Sequence, residues 1–193
     1  MRRTRLTPER EAELFDAVLA LLREVGYDAL TMDAVAARTR SSKATLYRQW
    51  KGKPELVATA LRRKKPVSLA DIDTGSVRGD LHAMLCNADE AEMERDAALM
   101  RGLGSAIHAN PDLHRALREL LIEPEAAALD AMIRRGVDRG ELAPGNPALG
   151  YVAHMMIGAF IARPLIEDRP VSPDYLARYV DAVVLPALGL ADR

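Results

Sequence analysis

The chain of 193 residues has a single cysteine, Cys86, and few of the features that mark secreted or metal-dependent proteins. One cysteine excludes an intrachain disulfide and a zinc site built from cysteines alone, and it suits a reducing cytosol. The basic start is followed by charged residues rather than by the apolar stretch of a secretory signal, so we expect no signal peptide. Charged residues at 28% and apolar residues at 49% are typical of a soluble globular protein, which we expect to be cytoplasmic.

Charge is absent from the stretch 142–162, which is about as long as a membrane span. Two prolines, a glycine and an asparagine within 144–147 interrupt its beginning, and His154 lies in the remainder. Only 148–162 is left as an apolar helix. This pattern favours a helix buried in a core or an interface over a membrane span.

No run of alternating polar and apolar residues is long enough to indicate a strand, and no internal repeat is visible. Apolar residues recur instead at helical spacing, as in Phe15, Val18, Leu19 and Leu22. We therefore expect an all-α fold of about nine helices. The first begins at Thr7-Pro8 and ends at Gly26. The others begin near 31, 42 and 53 and then cover about 76–88, 90–109, 111–139 (kinked or broken at Pro124), 148–166 and 173–188.

The net charge of −1 conceals a strong asymmetry along the chain. Residues 1–65 carry 15 Lys and Arg against 8 Asp and Glu, whereas residues 66–193 carry 12 against 20. A basic part beside an acidic part indicates that the basic part binds a polyanion. Chance clustering on solvated faces is the alternative that charge alone leaves open.

Residues 31–53 have the layout of a helix-turn-helix, in which two short helices are joined by a turn of about four residues. The second helix of this motif enters the DNA major groove. At about 100° per residue, Leu46 and Trp50 share one face and are expected to anchor this helix in the core. The opposite side is then free to face DNA.

The candidate DNA-binding residues divide into two groups. Arginine, lysine, glutamine and threonine can contact base edges, and a small alanine permits close approach, so we assign this role to Lys43, Ala44, Thr45, Arg48 and Gln49. Ser42, which begins the helix, completes this set. Thr31, Tyr47, Lys51 and Lys53 suit phosphate contacts, which position a protein without distinguishing sequences.

The segment 45–56, TLYRQWKGKPEL, resembles the T-[LI]-Y-x-x-[FW]-x-x-K-x-x-L signature of the TetR-like transcriptional regulators. The preceding GYDALTM of 26–32 resembles the lead-in of that signature, and 73–81 resembles the linker of one subgroup. The resemblance implies a DNA-binding domain over 1–60 and a helical ligand-binding and dimerisation domain over 61–193. It also implies a homodimeric repressor that binds double-stranded DNA at a palindromic operator and is released by a small-molecule effector. No enzyme activity, cofactor or metal is implied.

The turn departs from the family pattern, because Arg40-Ser41 stands where Gly-Val is usual. Glycine tolerates a left-handed backbone conformation. Either Arg40 is strained in that conformation, or the turn itself differs.

The acidic part offers candidates for the other two functions. Methionines adapt to varied apolar ligands, although a methionine stripe is more often simple core; the candidate effector residues are Met84, Met100, Arg101, Leu103, Leu121 and Met155. The last two helices are apolar on many sides and by resemblance form the dimer; the candidates are Tyr151, Met155, Phe160, Tyr175, Tyr179 and Val183.

A different function class stays open at this stage, namely an enzyme or a helical small-molecule carrier with a basic interaction surface. Support for catalysis is weak: the sequence has no phosphate-binding loop and no G-x-S-x-G nucleophile motif. His82 and Cys86 are four residues apart, but two ligands do not make a metal site.

Overall fold

The computed structural model describes residues 7–64, 69–86, 95, 99 and 103–190. In these ranges the chain is helical, with no strand, so the predicted all-α class is confirmed. The helices are α1 (Pro8–Ala29), α2 (Met32–Thr39), α3 (Lys43–Gln49), α4 (Lys53–Arg63), α5 (Val77–Cys86), α6 (103–109), α7 (Pro111–Leu117), α8 (Glu123–Asp138), α9 (Val152–Glu167), α10 (Pro173–Tyr179) and α11 (Leu185–Ala187). Short 3-10 helices cover Leu69–Asp71 and Pro147–Tyr151.

Two π-helical turns join neighbouring helices. Arg118–Ile122 connects α7 to α8, and Val180–Val184 connects α10 to α11, so the described residues form nine continuous α-helical segments. A proline follows each π turn by two residues, at Pro124 and Pro186. Proline lacks an N–H group and its ring collides with the carbonyl four residues earlier, which here lies inside the π turn. The distortion expected at Pro124 therefore takes the form of a wider turn, and the helix does not break.

The first compact unit comprises residues up to Pro66 together with Leu99–Glu123. Its core forms where buried side chains of α1 meet those of α4, and α6 and α7 contribute to the same core; its members include Leu14, Phe15, Val18, Leu22, Leu56, Val57, Ala60, Leu103, Leu113 and Leu117. By packing, then, a segment from the second half of the chain belongs with the N-terminal helices. The functional division at residue 60 stays a prediction.

The ends of α1 follow from its sequence. The Thr7 side chain accepts a hydrogen bond from the Arg10 backbone N–H at 3.4 Å, and Pro8 follows at the first helical position. Gly26 has a φ of 74°, a left-handed conformation that glycine adopts at little cost. The helical path is interrupted there, and the Leu30 N–H closes one last turn on the Gly26 carbonyl. The interruption lies at the predicted end of the helix, but one further turn carries α1 to Ala29.

The second compact unit comprises 67–98 and Pro124–Arg193. Gly136 of α8 lies against Val77 of α5, because a Cβ atom at Gly136 would stand only 2.2 Å from the Val77 Cγ2. The fully buried Asp80 carboxylate fixes the start of α5 by accepting hydrogen bonds from the backbone N–H and the hydroxyl of Thr74, at 2.6 and 2.7 Å. Within the segment 73–81, these bonds tie the residues before α5 to its first turn.

Candidate nucleic-acid interface

Helix α3 is anchored by the two residues that the helical wheel selects. Leu46 is fully buried and Trp50, directly after the helix, is 5% exposed. The Trp50 ring meets Phe15 of α1 edge to face, with 5.7 Å between the ring centroids. The predicted inward face is confirmed, and it fixes which side of α3 is left for a ligand.

The outward face of α3 carries most of the predicted base-contacting residues. Lys43, Ala44 and Arg48 are exposed. Tyr47 is also 54% exposed, which is a high value for a large aromatic side chain. Thr45 and Gln49 lie at the edges of this face and are half-buried. One side of a short helix therefore presents charged, small and hydrogen-bonding side chains together, which is what contact with base edges requires.

The start of α3 is held by a hydroxyl pair. Ser42 caps the helix by accepting a hydrogen bond from the Thr45 N–H at 3.1 Å. The two hydroxyl oxygens of Ser42 and Thr45 also lie 2.8 Å apart. The hydroxyls of Ser42 and Thr45 are thus part of the cap, and a hydroxyl that makes one such bond retains capacity for another partner.

Three predicted DNA-binding residues are engaged with the protein itself. Lys43 forms an ion pair with Asp33 of α2. The Gln49 amide donates a hydrogen bond to the Glu11 carboxylate of α1 at 2.8 Å. The Thr31 side chain caps α2 by accepting from the Ala34 N–H at 3.1 Å. Asp33 and Glu11 were not singled out from the sequence, since nothing in the pattern relates them to α3 before the helices are packed.

Lys53, predicted to contact phosphate, is also bound within the unit. Its ammonium group donates to the Tyr27 carbonyl oxygen at 2.8 Å and lies 4.2 Å above the centre of the Tyr27 ring. A lysine ammonium has three donors, so its contact with phosphate stays a prediction. Burial, followed by the nearby carboxylates of Asp112 and Asp28, raises the pKa of Tyr27 to about 12. Neighbouring Lys51 is exposed, and its backbone N–H donates to Glu55.

The turn before α3 resolves the alternative left open by the sequence. Arg40 has φ 51° and ψ 36°, so it occupies the left-handed conformation in which glycine is favoured. Its N–H lies 3.4 Å from the Ala37 carbonyl, and the Ser41 N–H bonds to the Ala36 carbonyl at 3.0 Å. The usual tight turn is therefore formed, with an arginine in the strained position.

The candidate effector residues divide between the two units. Leu103 belongs to the core of the first unit and Leu121 packs against it, whereas Met84 and Met155 pack against the core of the second. Met100 and Arg101 lie outside the described residues. Within the described ranges, no three His, Cys, Asp or Glu side chains gather as metal ligands, and His82 bonds to Asp181 at 3.0 Å.

The candidate dimer residues lie on or beside a large apolar surface of the second unit. Tyr151 is 61% exposed and Val183 40% exposed, while Met155, Phe160, Tyr175 and Tyr179 are half-buried. The same surface includes Ile161, which is 60% exposed, and three residues that the sequence analysis did not select, namely Ile157, Leu165 and Ile166, which are 51–83% exposed. Because α9 is apolar on most of its sides, helical periodicity alone could not show which of its residues stay exposed in the folded chain.

Comparison with known proteins matches both parts of the chain. The model described as bacterial regulatory proteins, tetR family, matches residues 14–60, and the model described as tetracyclin repressor-like, C-terminal domain, matches residues 71–183. An uncharacterized HTH-type transcriptional regulator of Mycobacterium tuberculosis is 35% identical over 182 residues, which are 93% of this chain and 88% of that protein. The DNA-binding transcriptional repressor TetR of Mycobacteroides abscessus is 32% identical over 177 residues, covering 91% and 92%.

The solved structures agree with these matches. The crystal structure of a TetR family transcription regulator superposes with a TM-score of 0.71 at 29% identity, and the match covers 96% of this chain and all of that one. A putative TetR-family regulator from Mesorhizobium loti superposes with a TM-score of 0.64 at 20% identity, over 94% and 96% of the two chains. The second likeness concerns the fold alone.

Proposed function

Because the chain belongs to the tetR family of bacterial regulatory proteins, as a helix-turn-helix transcriptional regulator, we propose that it is a homodimeric repressor. It binds a palindromic operator in double-stranded DNA and leaves the operator when a small-molecule effector binds. Members of this family are regulators rather than enzymes.

The observation that carries the DNA-binding proposal is the outward face of α3. Arg48 and Lys43 supply donors suited to guanine, and Ala44 leaves room for the thymine methyl group. The anchoring of Leu46 and Trp50 in the core gives this face a fixed orientation, which base-specific contact requires. The exposed Lys51 and Tyr47 lie nearby and suit the flanking phosphates.

The exposed apolar surface of α9 supports a dimer. Ile161, Leu165 and Ile166 are 60%, 83% and 78% exposed, on a helix in which only Val152 and Ala159 are buried. An apolar surface of this extent marks an interaction site. A second copy of the chain can cover it with an identical surface through twofold symmetry. A twofold dimer carries two recognition helices, and its operator is accordingly a palindrome.

The helix Pro147–Glu167 is 21 residues long and contains an 18-residue window with a mean hydropathy of 1.4, so it is long and apolar enough for a membrane span by length and composition only. One such helix is weak evidence for a span. The helix carries charge near its end, where the Arg163 guanidinium lies 3.5 Å from the Glu167 carboxylate, and the chain belongs to a family of DNA-binding regulators. Both observations favour burial of this helix against protein. We therefore place the dimer in the cytoplasm, where its DNA lies.

Effector release is a shift between two populations of the dimer. The effector has to bind more tightly to an arrangement in which the two recognition helices no longer match the half-site spacing. Met84 and Met155 of the second unit suit an apolar effector, since methionine adapts its shape to the ligand. The carrier or enzyme alternative from the sequence is not favoured by the family.

The test is a selection of bound duplexes from a random pool at near-physiological salt, followed by sequencing. Recovery of a palindrome is the expected result and gives the operator. The Arg48→Ala variant, selected in parallel, is expected to give a less defined motif of the same symmetry. An unenriched pool from a folded parent protein would contradict the proposal and favour the carrier alternative, which predicts at most weak, sequence-independent association.

A further inference from the structure

Arg40 stands out in the first unit because its backbone conformation is unfavourable for its residue type. Among the described non-glycine residues, only Arg40 and Asp168 have a positive φ. Arg40 takes part in the hydrogen bonds of the turn through its backbone N–H, so glycine would form the same turn with less strain. Strained residues that persist are concentrated where the side chain has a function.

The side chain of Arg40 lies in a basic setting. It lines a cavity of about 240 Å³ together with Arg10 and Glu13 of α1 and with Arg38 of α2, so three arginines and one carboxylate lie around it. Two of the three arginines are neutralised: Arg10 pairs with Glu13 at 2.8 Å, and Arg38 pairs with Glu24 at 2.7 Å. Arg40 is exposed and forms no ion pair within the ranges that the structure describes. Its positive charge is therefore available to a ligand.

The position of this charge in the chain identifies the ligand. Arg40 ends α2, and only Ser41 and Ser42 separate it from Lys43, the first residue of the recognition helix. Three residues extend at most about 11 Å, so Arg40 stays close to the point where α3 enters the groove. The phosphates of the DNA backbone border that groove. A guanidinium group binds phosphate with two parallel hydrogen bonds.

We propose that Arg40 binds a backbone phosphate of the DNA at this cavity. The contact adds affinity without sequence preference, at the expense of strain in the turn. This inference rests on the proposed DNA-binding function and goes beyond the contacts of α3 and α4.

Four variants separate charge from strain. Arg40→Lys and Arg40→Gln both keep a long side chain in the left-handed position, but only the lysine keeps the charge. Arg40→Gly removes charge and strain together. Asp168→Gly is the matched control, because Asp168 is the other described non-glycine residue with a positive φ and it lies in the second unit. Affinity is measured by fluorescence anisotropy for the selected operator and for an unrelated duplex of equal length, at several salt concentrations, and the Tm of each variant is recorded.

Arg40→Gln is expected to weaken binding to both duplexes by about fivefold to tenfold and to reduce the salt slope by about 0.9 per protomer, while Arg40→Lys keeps the slope. Arg40→Gly is expected to lose the same affinity while its Tm rises. Asp168→Gly is expected to raise Tm and leave DNA binding unchanged.

Two results overturn the inference while leaving the proposed function intact. One is operator binding by Arg40→Gln with the affinity and salt slope of the parent. The other is a loss confined to the operator, which would indicate a base contact. If the parent protein binds neither duplex, the proposed function itself fails and the inference fails with it.

Discussion

Lys53 places its ammonium nitrogen 2.8 Å from the Tyr27 carbonyl oxygen and 4.2 Å from the centre of the Tyr27 ring. One side chain at the start of α4 thereby holds the last turn of α1, the segment that leads into the helix-turn-helix. We expect Lys53→Ala to lower the free energy of unfolding by about 1–3 kcal/mol, through loss of a charged hydrogen bond and a cation–π contact. Chemical denaturation measures this change.

Lys51 provides the matched control for that experiment, because it is an exposed lysine two residues away whose ammonium group does not contact Tyr27. Lys51→Ala is expected to change stability by less than about 0.5 kcal/mol and to weaken binding to all DNA sequences. Equal stability of the two variants would show that the Lys53 contacts do not stabilise the fold.

Tyr27 is 3% exposed, and its hydroxyl has no hydrogen-bond partner among the described residues. Tyr27→Phe removes a buried polar atom and keeps the ring beneath Lys53. We expect its free energy of unfolding at pH 7 to equal that of the parent or to exceed it by up to about 1 kcal/mol. A loss of stability above 1 kcal/mol would mean that the hydroxyl has a partner that matters.

The same variant tests the raised pKa of Tyr27, which is about 12 in the folded chain. An ordinary tyrosine titrates near 10, so between pH 10 and 12 the unfolded chain loses this proton while the folded chain retains it. The contribution of Tyr27 to stability is therefore full below pH 10 and falls as the pH rises to 12. Denaturation across this range is expected to show a smaller decline for Tyr27→Phe than for the parent; parallel curves would contradict the shift.

Arg48 and Lys51 separate base contact from phosphate contact. Arg48→Ala is expected to lower operator binding by about 1–3 kcal/mol and to relax the base preference at one position of each half-site. Lys51→Ala is expected to weaken all duplexes alike and to reduce the salt slope. Affinities for a set of single-base operator variants measure both effects. Identical losses for the two variants on every duplex would show that the division is wrong.

Asp33 forms an ion pair with Lys43, and we predict that this pair opposes DNA binding. Both side chains are exposed, so the pair contributes little to stability, but its carboxylate neutralises a lysine at the start of the recognition helix. We expect Asp33→Asn to raise the affinity for operator and unrelated DNA alike and to steepen the salt dependence. Asp130→Asn in the second unit makes the same change of net charge. An equal gain for Asp130→Asn would attribute the effect to net charge alone.

The sequence predicted those features that depend on local patterns. Leu46 and Trp50 are buried because they lie on one side of α3 and of the residue that follows it, and Gly26 interrupts α1 because glycine adopts a positive φ at low cost. The Gln49–Glu11 bond and the Lys53–Tyr27 contact could not be predicted, since each joins residues 38 or 26 positions apart whose proximity depends on how the helices pack. The turn at Arg40 was predicted only in part. The sequence shows that arginine replaces the usual glycine there, but only the backbone angles show that Arg40 adopts the left-handed conformation.

Ile161 tests the dimer, because it is 60% exposed on the apolar surface of α9. Glutamate at this position adds a charge that association would have to bury, so Ile161→Glu is expected to be monomeric at concentrations where the parent is dimeric. A monomer presents one recognition helix, and its operator affinity is expected to fall by more than tenfold while the helical content is retained. Ile122→Glu is the matched control, since Ile122 is 45% exposed in the first unit. Sedimentation velocity and anisotropy measure the two properties. If Ile161→Glu remains a dimer, the interface lies on a different surface; if it is monomeric but binds the operator as the parent does, the dimer is not needed for recognition.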